Sequence, residues 1–593
     1  MSGFAAYLLI DLSTGEAERR EIPGAVMRSR IGGAGLGVHL ARELTPAGVD
    51  PLGAEAPIVF VFSPLVGTPL TTSAKFAVVA KSPLTGLLND ALSSSHFAIA
   101  GRMTGHEAIV LTGRAPQPSV CVIDQQGVRV EPSPELWGLP AADAEEALRA
   151  RLGRGYRAAA IGPAGEALVP YATVSHDGRH AGRGGHGAVL GSKNLKALAV
   201  RGRTKVPLAD PDRVLELAAD LRERSFGPAT EKYRDLGTLA NLLAFNALST
   251  LPTRNFREAS FEGAAALSAE QVSQLRDRTR THCASCTIGC GHIYPAGNGG
   301  SARMEYENAF ALGPLCGVSD PEAVFTASAR CDELGIDTIS AGGTIAFAME
   351  CAERGLLDAP WLRFGSGEAL LRALDEIGSG EGVGRLLRMG SRRMAEQVGG
   401  GSIAFAPQVK GLELPGYEPR TLQAMALGLA VNARGADHNR SGAYEADFST
   451  RVDRLHGGSA SVAAAVETED NAALIDSMIL CKFLRGVFAD SRAEWAALLS
   501  AVTGFDYSAD ELGRIAAEII DEKKRYNLDQ GWTADTDTLP ERFLSETLAT
   551  GGGATASLPR ERLRGMVAEY YRLRGWDEAG RPREVMQAGS AEG

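Results

Sequence analysis

Residues 281–293 read THCASCTIGCGHI and set Cys283, Cys286 and Cys290 in a CxxCxxxC array inside a glycine-containing turn. Thiolates three and four positions apart converge on one small centre when the backbone loops around it, and a four-iron cluster held by cysteine sulfur needs one more ligand. Cys481, far downstream in DSMILCKF, is the expected fourth, so the array predicts a fold in which distant parts of the chain meet. A closed four-cysteine zinc site competes with this reading, although its usual second CxxC knuckle is missing. Unliganded thiols are the third alternative. A radical-generating iron–sulfur loop would run CxxxCxxC, the reverse spacing. Eight cysteines in 593 residues are too sparse for a disulfide scaffold. Cys121, Cys316, Cys331 and Cys351 stand alone in apolar surroundings and read as small buried hydrophobes.

Outward from the array, DELGID (Asp332 to Asp337) and DSMILC (Asp476 to Cys481) each open on Asp and close on a polar or ligating residue five positions later. An ionised Asp at the close of a helix accepts two N–H bonds from a fused aminopyrimidinone edge. Each hook alone reads equally as an ordinary helix end; two of them, one sharing its segment with Cys481, predict a symmetric cofactor beside the cluster. Ala181, Gly182, Arg183, Gly184, Gly185, His186 and Gly187 lead into AVLGSKNLKA. Successive glycines let backbone N–H groups reach phosphate, and Lys193 and Lys196 are expected to add positive charge. The loop has neither the GK[ST] ending nor the GxGxxG spacing of the nucleotide fingerprints. A tight structural turn is its alternative reading.

Up to residue 205 the chain is a series of short apolar runs separated by Gly and Pro, among them YLLIDLSTGEA, PIVFVFSP, KFAVVAKSP, HEAIVLTG and YRAAAIG. These are strand signals, and QQG in SVCVIDQQGVRVE predicts a hairpin. Beyond that the period becomes helical. Asp210 with Pro211 opens one helix; VSDPEAVFTASARCDELG predicts another, capped by Ser319, boxed by Glu322 and stopped by Gly335. Further helices are expected from about Thr338 to Arg354, around 459–486, over 509–525, and up to Gly575, with the terminal QAGSAEG frayed. The predicted fold class is α+β: a β-rich base domain over 1–205, then two mainly helical domains over 206–410 and 411–593.

Hydrophobic residues are 44% and charged residues 22%, which excludes a disordered chain. The net charge is 61 − 72 = −11, which argues against non-specific binding to nucleic acid or anionic lipid. No apolar run reaches the roughly 18 residues of a spanning helix, and Asp11 falls too early for a signal peptide. A soluble, cytoplasmic protein is expected.

Together these residues resemble the aldehyde:ferredoxin oxidoreductase family of tungsten or molybdenum enzymes. The resemblance rests on KSPLTG (81–86), AGRGGHGAVLGSKNLKA (181–197), CASCTIGC (283–290), EYE (305–307), CDELGIDTIS (331–340), RGADHNR (434–440) and DSMILC, with echoes in IGGAGLG, LWGLP, IGPAGE and EYYRLRGWDEAG. It spans almost the whole chain. It implies a metal held by the dithiolene sulfurs of two pyranopterins, a [4Fe-4S] cluster, and electron transfer to ferredoxin or a dedicated iron–sulfur subunit. One pterin is then gripped by Asp332 with Asp337, the other by Asp476 with the backbone of Leu480. A homodimer is a further expectation.

The chain departs from the family in its first part. Lys75 stands in TTSAKF where an Arg usually contacts pterin phosphate, a point charge in place of a planar fork. ALSSS (91–95) replaces the usual SNxGG; Leu92 and Ala181 still offer backbone carbonyls to a bridging Mg²⁺. The resemblance makes Glu307 the acid–base group, Tyr306 a substrate-orienting group and His438 a proton donor or carbonyl ligand, with an imidazole suited to proton transfer near neutrality. Arg440 is expected to hold phosphate or orient the His438 loop, and Glu305 to be structural. The reading is oxidation of an aldehyde to its carboxylic acid. Two alternatives stand beside it: an aromatic-ring or acyl-CoA thioester reductase on the same scaffold, and a non-catalytic iron–sulfur electron-transfer protein.

Overall fold

The computed structural model describes residues 5–583, so QAGSAEG lies outside the described residues. The first two hundred residues build two six-stranded sheets from twelve strands: β1 (Ala6–Asp11), β2 (Ala17–Glu21), β3 (Ile58–Val61), β4 (Lys75–Lys81), β5 (Leu88–Ser94), β6 (Ala108–Thr112), β7 (Ser119–Asp124), β8 (Gly127–Pro132), β9 (Arg157–Ile161), β10 (Val174–His176), β11 (Arg179–Ala181) and β12 (Leu195–Val200). The first sheet runs β2-β1-β6-β3-β4-β5 and the second β11-β10-β9-β12-β7-β8. The QQG hairpin is present as the antiparallel pair β7/β8, with Asp124 facing Gly127. Strands β3, β4, β6, β7, β9 and β12 are buried almost throughout, which is why their apolar residues come in unbroken runs. One apolar core is shared by both sheets, with Phe60, Phe62, Phe76 and Phe97 fully buried in it.

The rest is predominantly helical, with a three-stranded sheet of β13 (Thr279–Thr281), β14 (Gly291–Pro295) and β15 (Ser301–Met304) inserted around the cysteine array. Asp210 caps helix Pro211–Arg224 by accepting the Arg213 N–H. Helix Pro321–Leu334 ends at Gly335 in the left-handed region, but its cap is Asp320 and not Ser319. Asp320 directly precedes Pro321 and accepts the Glu322 N–H at 3.0 Å; Ser319 is one residue too early. Helices Thr338–Glu353, Ser459–Met478, Ala509–Asp529 and Arg560–Leu573 follow the predicted periods.

The base and the helical part meet closely at one glycine pair. Helix Gly33–Leu44 packs on helix Ser459–Met478, where a Cβ on Gly33, at φ +42°, would stand 2.3 Å from the Asp476 carbonyl oxygen. The Gly35 N–H donates to Ser477 Oγ at 3.0 Å. IGGAGLG therefore fixes the height of the DSMILC segment above the base.

Candidate active site and cluster loop

A cavity of about 1320 Å³ lies between the base and the helices, and residues from the base sheets, the cysteine loop, both sides of DELGID and the GADHNR segment line it. Asp332, near the end of helix Pro321–Leu334, faces this space and meets His180 Nε2 at 3.1 Å; His180 Nδ1 is 2.6 Å from Ser175 Oγ. Asp337 also lines the cavity and caps the helix expected from Thr338. Its carboxylate accepts the Ile339 and Ser340 N–H groups at 3.3 and 3.1 Å and one guanidinium bond from Arg183 at 3.3 Å. Gly182 and Arg183 reach the cavity, and Gly184, at φ +87°, has no room for a Cβ beside Asn89. Ala181 closes β11, fully buried, and is not part of the cavity lining.

The second hook is placed differently from the first. Asp476 is buried outside the lining and meets Arg440 Nη1 at 2.6 Å and Lys482 Nζ at 3.3 Å. Arg440 and Lys482 line the cavity, and Asp476 does not. Leu480 offers its carbonyl to Lys75 Nζ at 3.4 Å, and Lys75 and Leu92 face the cavity. The two lysines of the glycine-rich segment do not serve it. Lys193 donates to the Ala54 and Gly113 carbonyls, and Lys196 pairs with Glu166 at 2.5 Å, both away from the cavity. Their apolar neighbours carry them into the base, where an ammonium needs fixed partners, so the expected phosphate charge is corrected to a structural role.

The CxxCxxxC loop leaves β13, turns at Ser285 (φ +51°) and Gly289 (φ +60°), and returns along β14. It is docked on the base: the Thr72 N–H donates to the Ser285 carbonyl at 2.6 Å, and the Thr287 N–H to Thr71 Oγ1 at 3.1 Å. Cys481 arrives from the other side after Ile479, whose φ of +67° is costly for a β-branched residue and turns the chain sharply off helix Ser459–Met478. Cys283, Cys290 and Cys481 all line the cavity. Burial pushes the Cys286 and Cys290 thiols up; Cys481 and Cys283 push both of them further the same way, and at Cys290 Glu305 adds to the rise. A positively charged iron or zinc centre among them would relieve that repulsion. Among the described residues, no three of these sulfurs lie mutually within 4.8 Å.

Glu305 caps helix Tyr306–Leu312 in a reciprocal box with Asn308, which sets Glu307 on the first turn. His438 stands at the start of a short helix capped by Asp437, whose carboxylate accepts the Asn439 and Arg440 N–H groups at 2.8 and 3.0 Å. Glu307 Oε1 and His438 Nε2 are 3.5 Å apart. Burial pushes the Glu307 carboxyl up to about 8 and the His438 imidazole down to about 3, so near pH 7 the imidazole is neutral and the carboxyl largely holds its proton. Tyr306 is buried, and its hydroxyl donates to the Gly416 carbonyl. That bond holds the 415–418 turn, whose Gly416 N–H in turn donates to Glu307 Oε2 at 3.1 Å. Tyr306 lines the cavity and also braces Glu307 through Gly416.

The chemistry of the wall fits a large polar cofactor. Ser93 Oγ, Arg179 Nε, Glu307 Oε1, Arg434 Nε and His438 Nδ1 line the cavity as buried polar atoms without a hydrogen-bond partner in the protein. Arg179, paired with Glu305, Lys482 and the stacked rings Tyr417/Tyr444 and Phe245/Phe448 belong to the site and were missed in the sequence. Lys482 had one available signal, its place directly after Cys481.

Two profiles of the aldehyde ferredoxin oxidoreductase family match the chain, one for the N-terminal domain over residues 7–202 and one for domains 2 and 3 over residues 216–587. The chain is 35% identical to a tungsten-containing aldehyde ferredoxin oxidoreductase of Pyrococcus furiosus, over 98% of both chains, and 36% identical to one of Thermococcus kodakarensis, over 98% and 97%. An aliphatic sulfonate oxidoreductase, WOR-like subunit, of Pyrococcus furiosus is 27% identical over 97% and 95%. In three dimensions the chain superimposes on the active site complex BamBC of benzoyl coenzyme A reductase with a TM-score of 0.84, covering 98% and 95% at 21% identity, a likeness of fold.

Proposed function

The chain belongs to the aldehyde ferredoxin oxidoreductase family, a family of oxidoreductases, and we propose that it oxidises an aldehyde to the carboxylic acid, RCHO + H₂O → RCOOH + 2H⁺ + 2e⁻. The observation that carries this reading is the approach of Glu307 to His438 on the wall of a polar cavity that Cys283, Cys290 and Cys481 also line. Membership implies a tungsten or molybdenum pterin, which when bound supplies the two-electron acceptor, and a [4Fe-4S] cluster on Cys283, Cys286, Cys290 and Cys481 supplies the one-electron relay. Asp332, Lys75, Arg183 and Arg440 are the side chains that would hold the pterins, with the Leu92 carbonyl available to Mg²⁺.

The chain's own groups handle the substrate and the protons. Neutral His438 presents a ring nitrogen to the aldehyde oxygen, and Glu307 exchanges a proton with water beside it. Its raised affinity for protons places the exchange close to working pH. Tyr417, Tyr444, Phe245 and Phe448 wall the approach with rings that exclude bulk water. The electron acceptor in this reading is ferredoxin or a dedicated iron–sulfur subunit.

Anaerobically purified, metal-loaded protein is expected to reduce a viologen dye when supplied with aldehyde. Complete inactivity over both aliphatic and aromatic panels would overturn the substrate class.

A further inference from the structure

The cysteine loop has a second side, away from the cavity. Cys283, Cys290 and Cys481 line the cavity, whereas Cys286 does not and is partly exposed. β13 feeds this loop as the edge strand of the order β13-β14-β15, so one row of its backbone groups has no strand beside it. Resting on the assignment of the four cysteines to a redox cluster, we propose that β13 and the outer side of the loop form the docking face for an acidic one-electron carrier protein. Each aldehyde oxidised then reduces two carriers: RCHO + H₂O + 2 carrier(ox) → RCOOH + 2H⁺ + 2 carrier(red).

The distribution of charge points to an acidic partner. Residues 276–304, the small sheet with its loop, carry Arg276, Arg278, Arg280 and Arg303 against a single carboxylate, Asp277, in a chain whose net charge is −11. Two of the four are spoken for: Arg276 pairs with Glu322 at 2.8 Å, and Arg303 faces the cavity. Arg278 and Arg280 are exposed, and among the described residues neither bonds a carboxylate. Arg278 donates to Ser273 Oγ at 3.0 Å and His292 Nδ1 at 3.2 Å. Arg280 donates to the Ile288 and Gly289 carbonyls at 2.6 and 2.9 Å, which places its uncompensated charge on the stretch between Cys286 and Cys290. Exposed His282 follows, with Nδ1 3.1 Å from the Cys286 carbonyl. Asp235, at the end of helix Pro228–Leu236, is the acidic neighbour across His292. A local cation cluster on an acidic chain steers a negatively charged partner to that spot and repels it elsewhere.

Apolar contact is available beside the charges. Leu275, which closes helix Ala269–Leu275 three residues before Arg278, is 73% exposed. Phe226 is 50% exposed and follows Ser225, whose Oγ lies 2.7 Å from Thr287 Oγ1 in the cysteine loop. Arginine with a few bare apolar side chains over a small area is the composition of a transient redox interface.

The test uses the full chain with its iron–sulfur content intact and, as probe, an oxidised plant-type [2Fe-2S] ferredoxin, an acidic one-electron carrier; basic cytochrome c is the control. Anaerobic calorimetry should show ferredoxin binding that weakens as NaCl rises from about 20 to about 300 mM, and weaker binding of cytochrome c. Arg278→Glu and Leu275→Glu lie outside the cavity lining and bond no part of the cysteine loop. Each should weaken ferredoxin binding and raise the ferredoxin KM at least tenfold, with iron content and aldehyde-dependent viologen reduction within twofold of wild type. Binding needs no aldehyde, so protein that binds ferredoxin in this way but oxidises no aldehyde would refute the substrate class and uphold the docking face. No ferredoxin binding, binding indifferent to salt, tighter binding of cytochrome c, or unchanged binding in both variants would each overturn the proposal, the last leaving the arginines as guards of a bare strand edge.

Discussion

Glu307 Oε1 lies 3.5 Å from His438 Nε2 although the two residues come from different helices far apart in the chain. The proximity couples a carboxyl raised by burial to an imidazole lowered by it, so one proton is held on the carboxyl side. Glu307→Gln keeps the shape and removes the exchange. It should lower kcat/KM by about 10²–10⁴-fold with metal and pterin content unchanged, the range for a lost acid–base group.

The same carboxyl sets a stability trend. Its folded pKa is raised, so its contribution is fully present below the ordinary carboxylate range and is lost as pH rises through about 8. Denaturant unfolding of wild type between pH 5 and 9 should therefore show a declining contribution that is absent in Glu307→Gln. Equal slopes for the two proteins would count against the buried, protonated state.

Asp476 offsets Arg440 and Lys482 at 2.6 and 3.3 Å in a buried place. Burial already pulls the Lys482 ammonium down to about 7. Asp476→Ala leaves two cations facing each other and should cost about 3–5 kcal/mol, read by chemical denaturation. Asp332→Ala, at a half-exposed carboxylate that meets His180 Nε2, should cost far less stability and lower pterin retention instead.

Lys196 and Glu166 form a buried pair at 2.5 Å, and the Gly138 N–H also donates to Glu166. Lys196→Met strands that carboxylate and should destabilise the base by about 3–5 kcal/mol. Protein that still folds should carry wild-type pterin, because Lys196 does not reach the cavity.

Cys481→Ser should cut iron incorporation and abolish the electron-paramagnetic signal of the reduced cluster, while secondary structure persists. Full iron content in that variant would remove Cys481 from the ligand set.

Much of the fold was legible because it is written in local patterns. Unbroken apolar runs announced buried strands, Asp210 with Pro211 and Gly335 marked helix ends, and QQG marked a hairpin. The capping error at Ser319 came from two adjacent candidates, and only the backbone path showed that Asp320 is the one in reach of the Glu322 N–H. The candidate site was legible in residue type but less so in orientation. Lys193 and Lys196 were named for chemistry their side chains do not face, since the direction of a side chain depends on what packs against its element.

The amino-acid sequence by itself determined the family and the strand-then-helix order and singled out the cysteines, Glu307 and His438 as candidates, because these follow from residue type, spacing and period. Tertiary structure alone decided that Asp332 opens to the cavity while Asp476 pairs with Arg440 and Lys482, and that Tyr306 grips Gly416. Such outcomes turn on long-range packing, where a charge buried next to a partner from hundreds of residues away is worth more than any local preference.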